Sequence, residues 1–280
     1  MTDTPAFSAS GFDSFYQKLL AEVSDVEGYL SPSEVQFLSL AASYPTASGK
    51  ILEIGTFKGK STIVLSKSAL QVEETIVQAV DPMTAPCETD PNLHGSASSY
   101  EDFQRNITRH QVADSIHLHR QFSHELASNW NQPLRLLWID GDHTYAGTKK
   151  DFDGFACHLS DGGIIAIHDT LHAFEGGLRV FAENILLSPS FGACGFVGSI
   201  GWAQYNHDPN KNLRYHQDKI RLYRALSRLI PLVALNRKLR PLEKKKFKLF
   251  RALVPHGAID PLTWTRTVER SAPENHPESL

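Results

Sequence analysis

The 280-residue sequence predicts an α/β protein: a doubly wound, mostly parallel sheet with an antiparallel edge strand, an N-terminal helical cap and a basic helical C-terminal extension. Three observations carry this. The runs Leu134–Ile139 (LRLLWI) and Gly162–Ile167 (GGIIAI) are short and largely apolar, as strands buried on both faces of a parallel sheet are. Each ends in chemistry-bearing residues, Asp140-Gly141-Asp142-His143 after the first and His168-Asp169-Thr170 after the second. In open α/β sheets that carboxyl edge is where ligands bind, so the pair reads as two walls of one site. Third, the strand Lys50–Ile54 breaks at Gly55-Thr-Phe-Lys-Gly59 and restarts as a helix.

Composition bounds the answer. Hydrophobic residues at 41% and charged residues at 21% fit a chain that buries a core, which argues against disorder over most of its length. A formal net charge of -3 announces no polyanionic partner for the molecule as a whole. Cys87, Cys157 and Cys194 lack CxxC or Cys/His spacing, which disfavours a disulfide framework or structural zinc and fits a reducing cytoplasm. No basic stretch followed by an apolar run opens the chain, so no signal peptide is expected. No apolar run approaches the ~20 residues of a membrane span. The expected divisions are a tail and cap over 1–46, the sheet domain over 47–205, and a basic extension with a tail over 206–280.

In chain order, residues 1–10 read as a loose tail. Phe12–Val26 then carries Phe12, Phe15, Tyr16, Leu19, Leu20 and Val23 at helical spacing. Ser31-Pro-Ser-Glu34 is a helix start, with Ser31 as N-cap, Pro32 at the first helical position and Glu34 three residues on. This region reads as a cap on one sheet face, with a substrate lid as the lesser option.

The first turn reads Glu53-x-Gly55-x-x-x-Gly59-x-Ser61. Gly55 permits a tight turn, Gly59 a close approach to backbone, and the free amides of the helix start favour an anionic or electron-rich ligand group. The dinucleotide fingerprint needs G-x-G-x-x-G, and the Gly59-Lys60-Ser61 triplet lacks the first glycine spacing of a P-loop, so both motifs are excluded. About 20 residues on, Thr75–Val80 is a second strand ending in Asp81-Pro82, where an acid can accept from a ribose diol. The competing role for Asp81 is turn initiation.

Met83–Ser99 is a long polar excursion at the ligand edge, followed by a helix over Tyr100–His110 and a third strand over Ser115–Leu118. Ser123 opens a helix, as its N-cap or as a contact to an adenine. After LRLLWI comes a helix over Gly147–His158, then a turn at Asp161-Gly162-Gly163 into GGIIAI. A helix over Leu178–Leu187 and a Gly-interrupted strand, Phe196–Gln204, close the sheet. Trp138, Trp202 and Cys157 read as core, Asp142 as a turn residue, and His172 has no assignable role.

The combination LEIGTFKGKST, VDPM, LLWIDGDHTYAGTKKDF and GGIIAIHDT, with the approach VEGYLSPSEVQFLSLAA, resembles the class I S-adenosylmethionine-dependent methyltransferases. Within them it resembles the branch of sugar and macrolide-sugar O-methyltransferases and cephalosporin-hydroxylase-like proteins, over roughly residues 26–205. The resemblance implies a Rossmann-like fold and S-adenosyl-L-methionine as cofactor. Glu53, Gly55, Thr56 and Gly59 would form the turn under its methionine part, and Ser61 could hold its carboxylate. Asp81 would take the ribose hydroxyls, and Ser123 would lie near adenine. Metal-dependent relatives hold Mg²⁺ on a strand-end Asp, here Asp140, and on an acid pair, here His168-Asp169. Imidazole is a poor Mg²⁺ ligand, so the alternatives are Asp140 and Asp169 with waters, a softer divalent ion, or no metal. In macrolide-sugar enzymes a histidine three residues after that Asp is the base, and His143 stands there.

The expected activity is methyl transfer to a hydroxyl of a sugar, glycoconjugate or other small molecule, with Asp140 and His143 catalytic. A neutral imidazole, of reference pKa ~6.5, can take the hydroxyl proton near neutral pH. The other reading is a non-catalytic or hydroxylase-like binding protein with the same cofactor fold.

The extension is basic: between Lys211 and Arg251 only Asp218 and Glu243 oppose a series of lysines and arginines. Leu222, Leu226, Leu229, Ile230 and Val233 recur there at helical spacing. Such a helix can lie peripherally on an anionic membrane, or its stripe can pack on the core or on a second subunit of a homo-oligomer. Packing is the expected outcome; nucleic acid is not expected, because aromatic residues are sparse. Ser271–Leu280 reads as disordered.

Overall fold

Seven strands form one sheet: β1 (Lys50–Ile54), β2 (Val77–Val80), β3 (Ile116–His119), β4 (Leu134–Ile139), β5 (Leu159–Ile167), β6 (Phe191–Val197) and β7 (Ile200–Tyr205). Their order is β3-β2-β1-β4-β5-β7-β6 in the computed structural model, which describes residues 9–72, 75–84, 98–234 and 237–270. The first five strands pair in parallel, and β7 is antiparallel to both β5 and β6. The order reverses between β1 and β4, so a crevice opens over the carboxyl ends of these two strands. All six residues of β4 are buried, as its apolar run requires.

Two local expectations change. The stretch Phe196–Gln204 is a hairpin instead of one strand: Gly198, at φ +61°, is the turn joining β6 to β7. The antiparallel element at that side of the sheet is therefore β7, flanked by β5 and β6. Asp161-Gly162-Gly163 is no turn before β5 but an irregularity within it. Two steps along β4, from Leu134 to Leu136, face five along β5, from Leu159 to Ile164. Gly162 adopts φ +83° there, and its carbonyl accepts from Thr46 Oγ1 and Gln204 Nε2.

Helices cover both faces. On one, α1 (Ala9–Glu22), α2 (Pro32–Ser43), α3 (Lys60–Ala69) and α4 (Tyr100–Arg109) join Trp138 and Trp202 of the sheet in one buried cluster with Phe12, Phe37, Val64 and Phe103. The helix start at Ser31 is as expected, with Glu34 accepting the Ser31 N–H at 2.8 Å. On the other face lie α5 (Ser123–Ala127), α6 (Tyr145–Phe155), α7 (Glu175–Val180, continuing as a π-helical turn) and α8 (His216–Leu226). They are followed by α9 (Ile230–Val233), α10 (Pro241–Ala252) and α11 (Pro261–Thr267). Leu226 and Leu229 are fully buried, and Leu222, Ile230 and Val233 pack against the same cluster. The stripe in the basic extension is thus core. α11 returns to the cap face, where Trp264 packs edge-on against Phe37.

Cys157, expected in the core, is exposed in the turn after α6. The tail over 1–8, residues 85–97 of the polar excursion and Ser271–Leu280 lie outside the described residues.

Candidate active site

The turn after β1 is shaped by the opposite wall. Gly55 adopts φ +85°, and a Cβ on it would stand 2.2 Å from the Asp140 carbonyl oxygen. Gly55 is therefore required by the packing of the β1 turn on the end of β4. Gly59, at φ +89°, starts α3, and a Cβ there would meet the Phe103 ring at 3.1 Å. That side of the turn is closed by α4.

Asp81, at the end of β2, is tied to this turn. Its Oδ2 accepts the Thr56 N–H at 2.8 Å, the Phe57 N–H at 3.1 Å and the Thr56 hydroxyl at 3.3 Å. Its Oδ1 accepts the Met83 N–H at 2.7 Å. A carboxylate offers about four lone-pair directions, so Oδ1 keeps one for a ligand hydroxyl. Phe57 is held at φ +48°, a strained conformation for an aromatic residue, with Tyr29 of the cap stacked on its ring.

Beneath the turn, Glu53 is fully buried and accepts the Ser61 hydroxyl. Burial pushes its carboxyl up to about 8, despite that hydrogen bond. Its Oε2 has no hydrogen-bond partner. An orphaned buried acceptor beside a helix start suits a ligand with both a cationic and an anionic group, as an amino-acid moiety has. These residues fit the methionine part of S-adenosylmethionine. Ser61 faces Glu53, so a carboxylate-binding role would require its hydroxyl to turn.

The second wall brings Asp140, His143 and Asp169 together, with one donor atom from each within 4.8 Å of the others. His143 Nε2 is 3.4 Å from Asp169 Oδ2, and its ring stacks on Phe174 at 4.8 Å. Asp169 adopts φ +53°. Burial works against its ionisation, but the His172 Nδ1 at 2.6 Å and the imidazoles of His168 and His143 hold its carboxyl below the usual range. Asp142 accepts from the Thr144 N–H at 2.8 Å and its hydroxyl at 3.0 Å, the turn role expected of it.

His168 does not join this cluster. It is buried behind it, with Nδ1 2.9 Å from Asp140 Oδ1 and Nε2 3.8 Å from Glu34 Oε2. The second distance is too long for a hydrogen bond, so that contact is ionic. Burial alone would strip a proton from this ring, yet Asp140, Glu34 and Asp169 raise its pKa well above that of free imidazole. Asp140 and Asp169 offer two carboxylate oxygens that fit a divalent cation completed by waters, with the His143 imidazole beside them as a proton acceptor.

The cleft between the walls is lined by the cap segment Glu27–Leu30, by Gly55, Thr56, Phe57, Lys60 and Ser61, and by Asp140, His143, His168 and Asp169. The cap thus forms a wall of the site as well as a cover for the sheet. The Ser123 hydroxyl donates to Asp151 at 2.5 Å, and Phe122 takes the N-cap position expected of Ser123. Glu34, Tyr29, Lys60 and Phe174 carry no sequence signal of a site beyond the capping glutamate and the GKS triplet.

Residues 52–170 match the family model described as a methyltransferase domain. The sheet order and the cleft over the matched residues are those of a Rossmann-like methyltransferase fold. The O-methyltransferase NovP superposes with a TM-score of 0.56 at 13% identity, over 71% of this chain and 100% of that one. An O-methyltransferase from Bacillus cereus in complex with SAH matches at 21% identity and TM-score 0.48, over 69% of this chain and 91% of that one. The O-methyltransferase TomG from Streptomyces achromogenes, in complex with SAM, matches at 17% identity and TM-score 0.49, over 70% and 89%. Among the described residues no helix is long and apolar enough to cross a membrane.

Proposed function

We propose that this methyltransferase acts on a hydroxyl of a sugar, glycoconjugate or similar small molecule, with a divalent cation held by Asp140 and Asp169. The observation that carries the reading is the Asp140–His143–Asp169 cluster, set in the same cleft as the Glu53–Ser61 turn. Two carboxylates and an imidazole suit removal of a hydroxyl proton, and the name of NovP agrees with transfer to oxygen. S-adenosylmethionine supplies the methyl group as a sulfonium, and a bound cation supplies a Lewis acid that lowers the acceptor's pKa. His143, held by Phe174 and facing Asp169, takes the proton. Asp140 and Asp169 orient the acceptor, and Asp81 and Glu53 fix the cofactor's two ends. A lipid-linked glycan is the acceptor form that would make use of the basic extension.

Calorimetry with S-adenosylmethionine, followed by transfer of its labelled methyl group to a panel of sugar diols, tests this. Binding with transfer to a diol hydroxyl is expected. Absence of binding at ~1 mM cofactor removes the enzyme reading. Transfer to a nitrogen or carbon acceptor in place of the sugars removes the acceptor class.

A further inference from the structure

The stripe that the sequence offers for a membrane, over Leu222–Val233, is packed in the core. The structure exposes a different one. On α10, Leu242, Leu249 and Leu253 (the last in its closing turn) are 79%, 62% and 55% exposed. At 100° per residue these positions fall within about 40° of one another, and Lys245 and Lys246 flank them on either side. Lys244 and Lys248 are exposed as well. The opposite side of the helix is anchored, with Phe247 and Val254 buried and Phe250 packed on the same cluster. Exposed leucines rarely align on a charged helix without a partner.

Charge identifies the partner. Residues 221–253 hold eleven lysines and arginines against Glu243 alone, leaving seventeen bases against thirty acids for the rest of the chain. Arg237 neutralises Glu243, so the acid does not offset the patch. A one-sided cationic face with a leucine ridge is the signature of a helix that lies in the headgroup region of an anionic bilayer. A nucleic-acid surface would interleave exposed aromatic residues with the bases, and Phe247 and Phe250 point inward. The end of α10 is also tied to the ligand edge of the sheet. The His256 carbonyl accepts the Gly198 N–H at 3.0 Å, and Ser199 beside it donates to Glu34, which faces His168.

We infer that α10 docks this protein on the surface of an anionic lipid bilayer, with Leu242, Leu249 and Leu253 entering the interface and Lys244, Lys245, Lys246 and Lys248 held at the headgroups. This inference stands independently of the acceptor proposed above. The test is flotation of the full chain with phosphatidylcholine vesicles, with and without about one third phosphatidylserine, at 0.1 M and 0.5 M salt. Expected is binding to the anionic vesicles that falls at least tenfold at high salt and on neutral vesicles. The triple variant Leu242→Ser, Leu249→Ser, Leu253→Ser should lose about tenfold or more. The set Lys244→Gln, Lys245→Gln, Lys246→Gln, Lys248→Gln should lose about 600-fold, at roughly fivefold per lysine. Unchanged circular dichroism and melting midpoint show that both variants are folded. No flotation with anionic vesicles, or flotation indifferent to both sets of substitutions, overturns the inference. So does a dimer in sedimentation velocity that the leucine variant dissociates, or tighter binding to single-stranded RNA than to the vesicles.

Discussion

His168 Nδ1 lies 2.9 Å from Asp140 Oδ1, and both belong to ends of neighbouring strands, β5 and β4. Through this contact a buried ring fixes one oxygen of a site carboxylate, while its other nitrogen faces Glu34 from the cap. The cap, the β6–β7 turn and the site are therefore one electrostatic unit, since Glu34 also accepts the Ser199 N–H and hydroxyl at 2.7 Å.

Removing the ring should unfold more than it disables. His168→Leu leaves Glu34 buried without its cationic neighbour and Asp140 without its partner, a change that in comparable sites costs roughly 3–5 kcal/mol. Urea unfolding should show that loss. The conservative Glu34→Gln keeps an acceptor for Ser199 and should cost less. A His168→Leu midpoint equal to wild type would show that the three groups are not coupled.

The cluster at the mouth predicts a division of labour. Asp140→Asn and Asp169→Asn should each lower kcat about 100-fold or more, with cofactor affinity changed little, because neither residue lies under the methionine turn. A chelator should lower the wild-type rate to a similar level, and added Mn²⁺ should restore it in the wild type only. His143→Ala should lower kcat by a similar factor while leaving cofactor affinity and metal dependence unchanged. If activity survives chelation untouched, the cation has no part in the reaction.

Much of this was legible in the sequence, and the reasons are physical. The strand ends at Asp140 and Asp169 declare themselves because buried apolar runs cannot absorb carboxylates without a purpose. The pairing of Asp81 with the Gly55 turn follows from strand order alone. What could not be read is which way each strand-end side chain faces. His143 stands beside Asp140 and Asp169 as expected, whereas His168, expected in the metal set, faces inward to Asp140 and Glu34 where the chain turns at Asp169, at φ +53°. Glu34 reads as a capping residue in sequence and is one, but its capping oxygen Oε2 also faces a histidine 134 residues away, and Oε1 serves Ser199. The extension misleads for a related reason. Periodicity marks a stripe without saying whether core or solvent lies against it, so α8 was legible as amphipathic and α10 was not.

Asp81 has a double attachment that can be separated by mutation. Asp81→Asn should loosen the Thr56–Phe57 turn and weaken the ribose contact together, raising the S-adenosylmethionine Kd by tenfold or more, by about 1.4 kcal/mol per decade. Thr56→Val removes only the hydroxyl at 3.3 Å and keeps the two backbone donors, so it should change Kd by less than threefold. Titration calorimetry distinguishes the two. Equal affinity in Asp81→Asn would mean that Asp81 only shapes the turn.

Asp151 gives a prediction about pH. Burial pushes its carboxyl from 3.8 up to about 6, although the Ser123 hydroxyl donates to it and favours the ionised form. Between these values the folded state holds a proton that the unfolded state has released. The slope of unfolding free energy with pH is therefore negative there: this group's contribution is most favourable below about 3.8 and is lost as pH rises to about 6. The shift corresponds to a cost of at most roughly 3 kcal/mol at neutral pH. Asp151→Asn keeps an acceptor for Ser123 and carries no charge to bury. It should therefore be more stable than wild type at pH 7 and indistinguishable from it near pH 4 in parallel urea titrations. A difference between the two proteins that stays constant from pH 4 to 8 would mean that the Asp151 carboxylate is solvated or paired in the folded state. Its burial on the inner side of α6, with Oδ2 beside Gly141, argues otherwise.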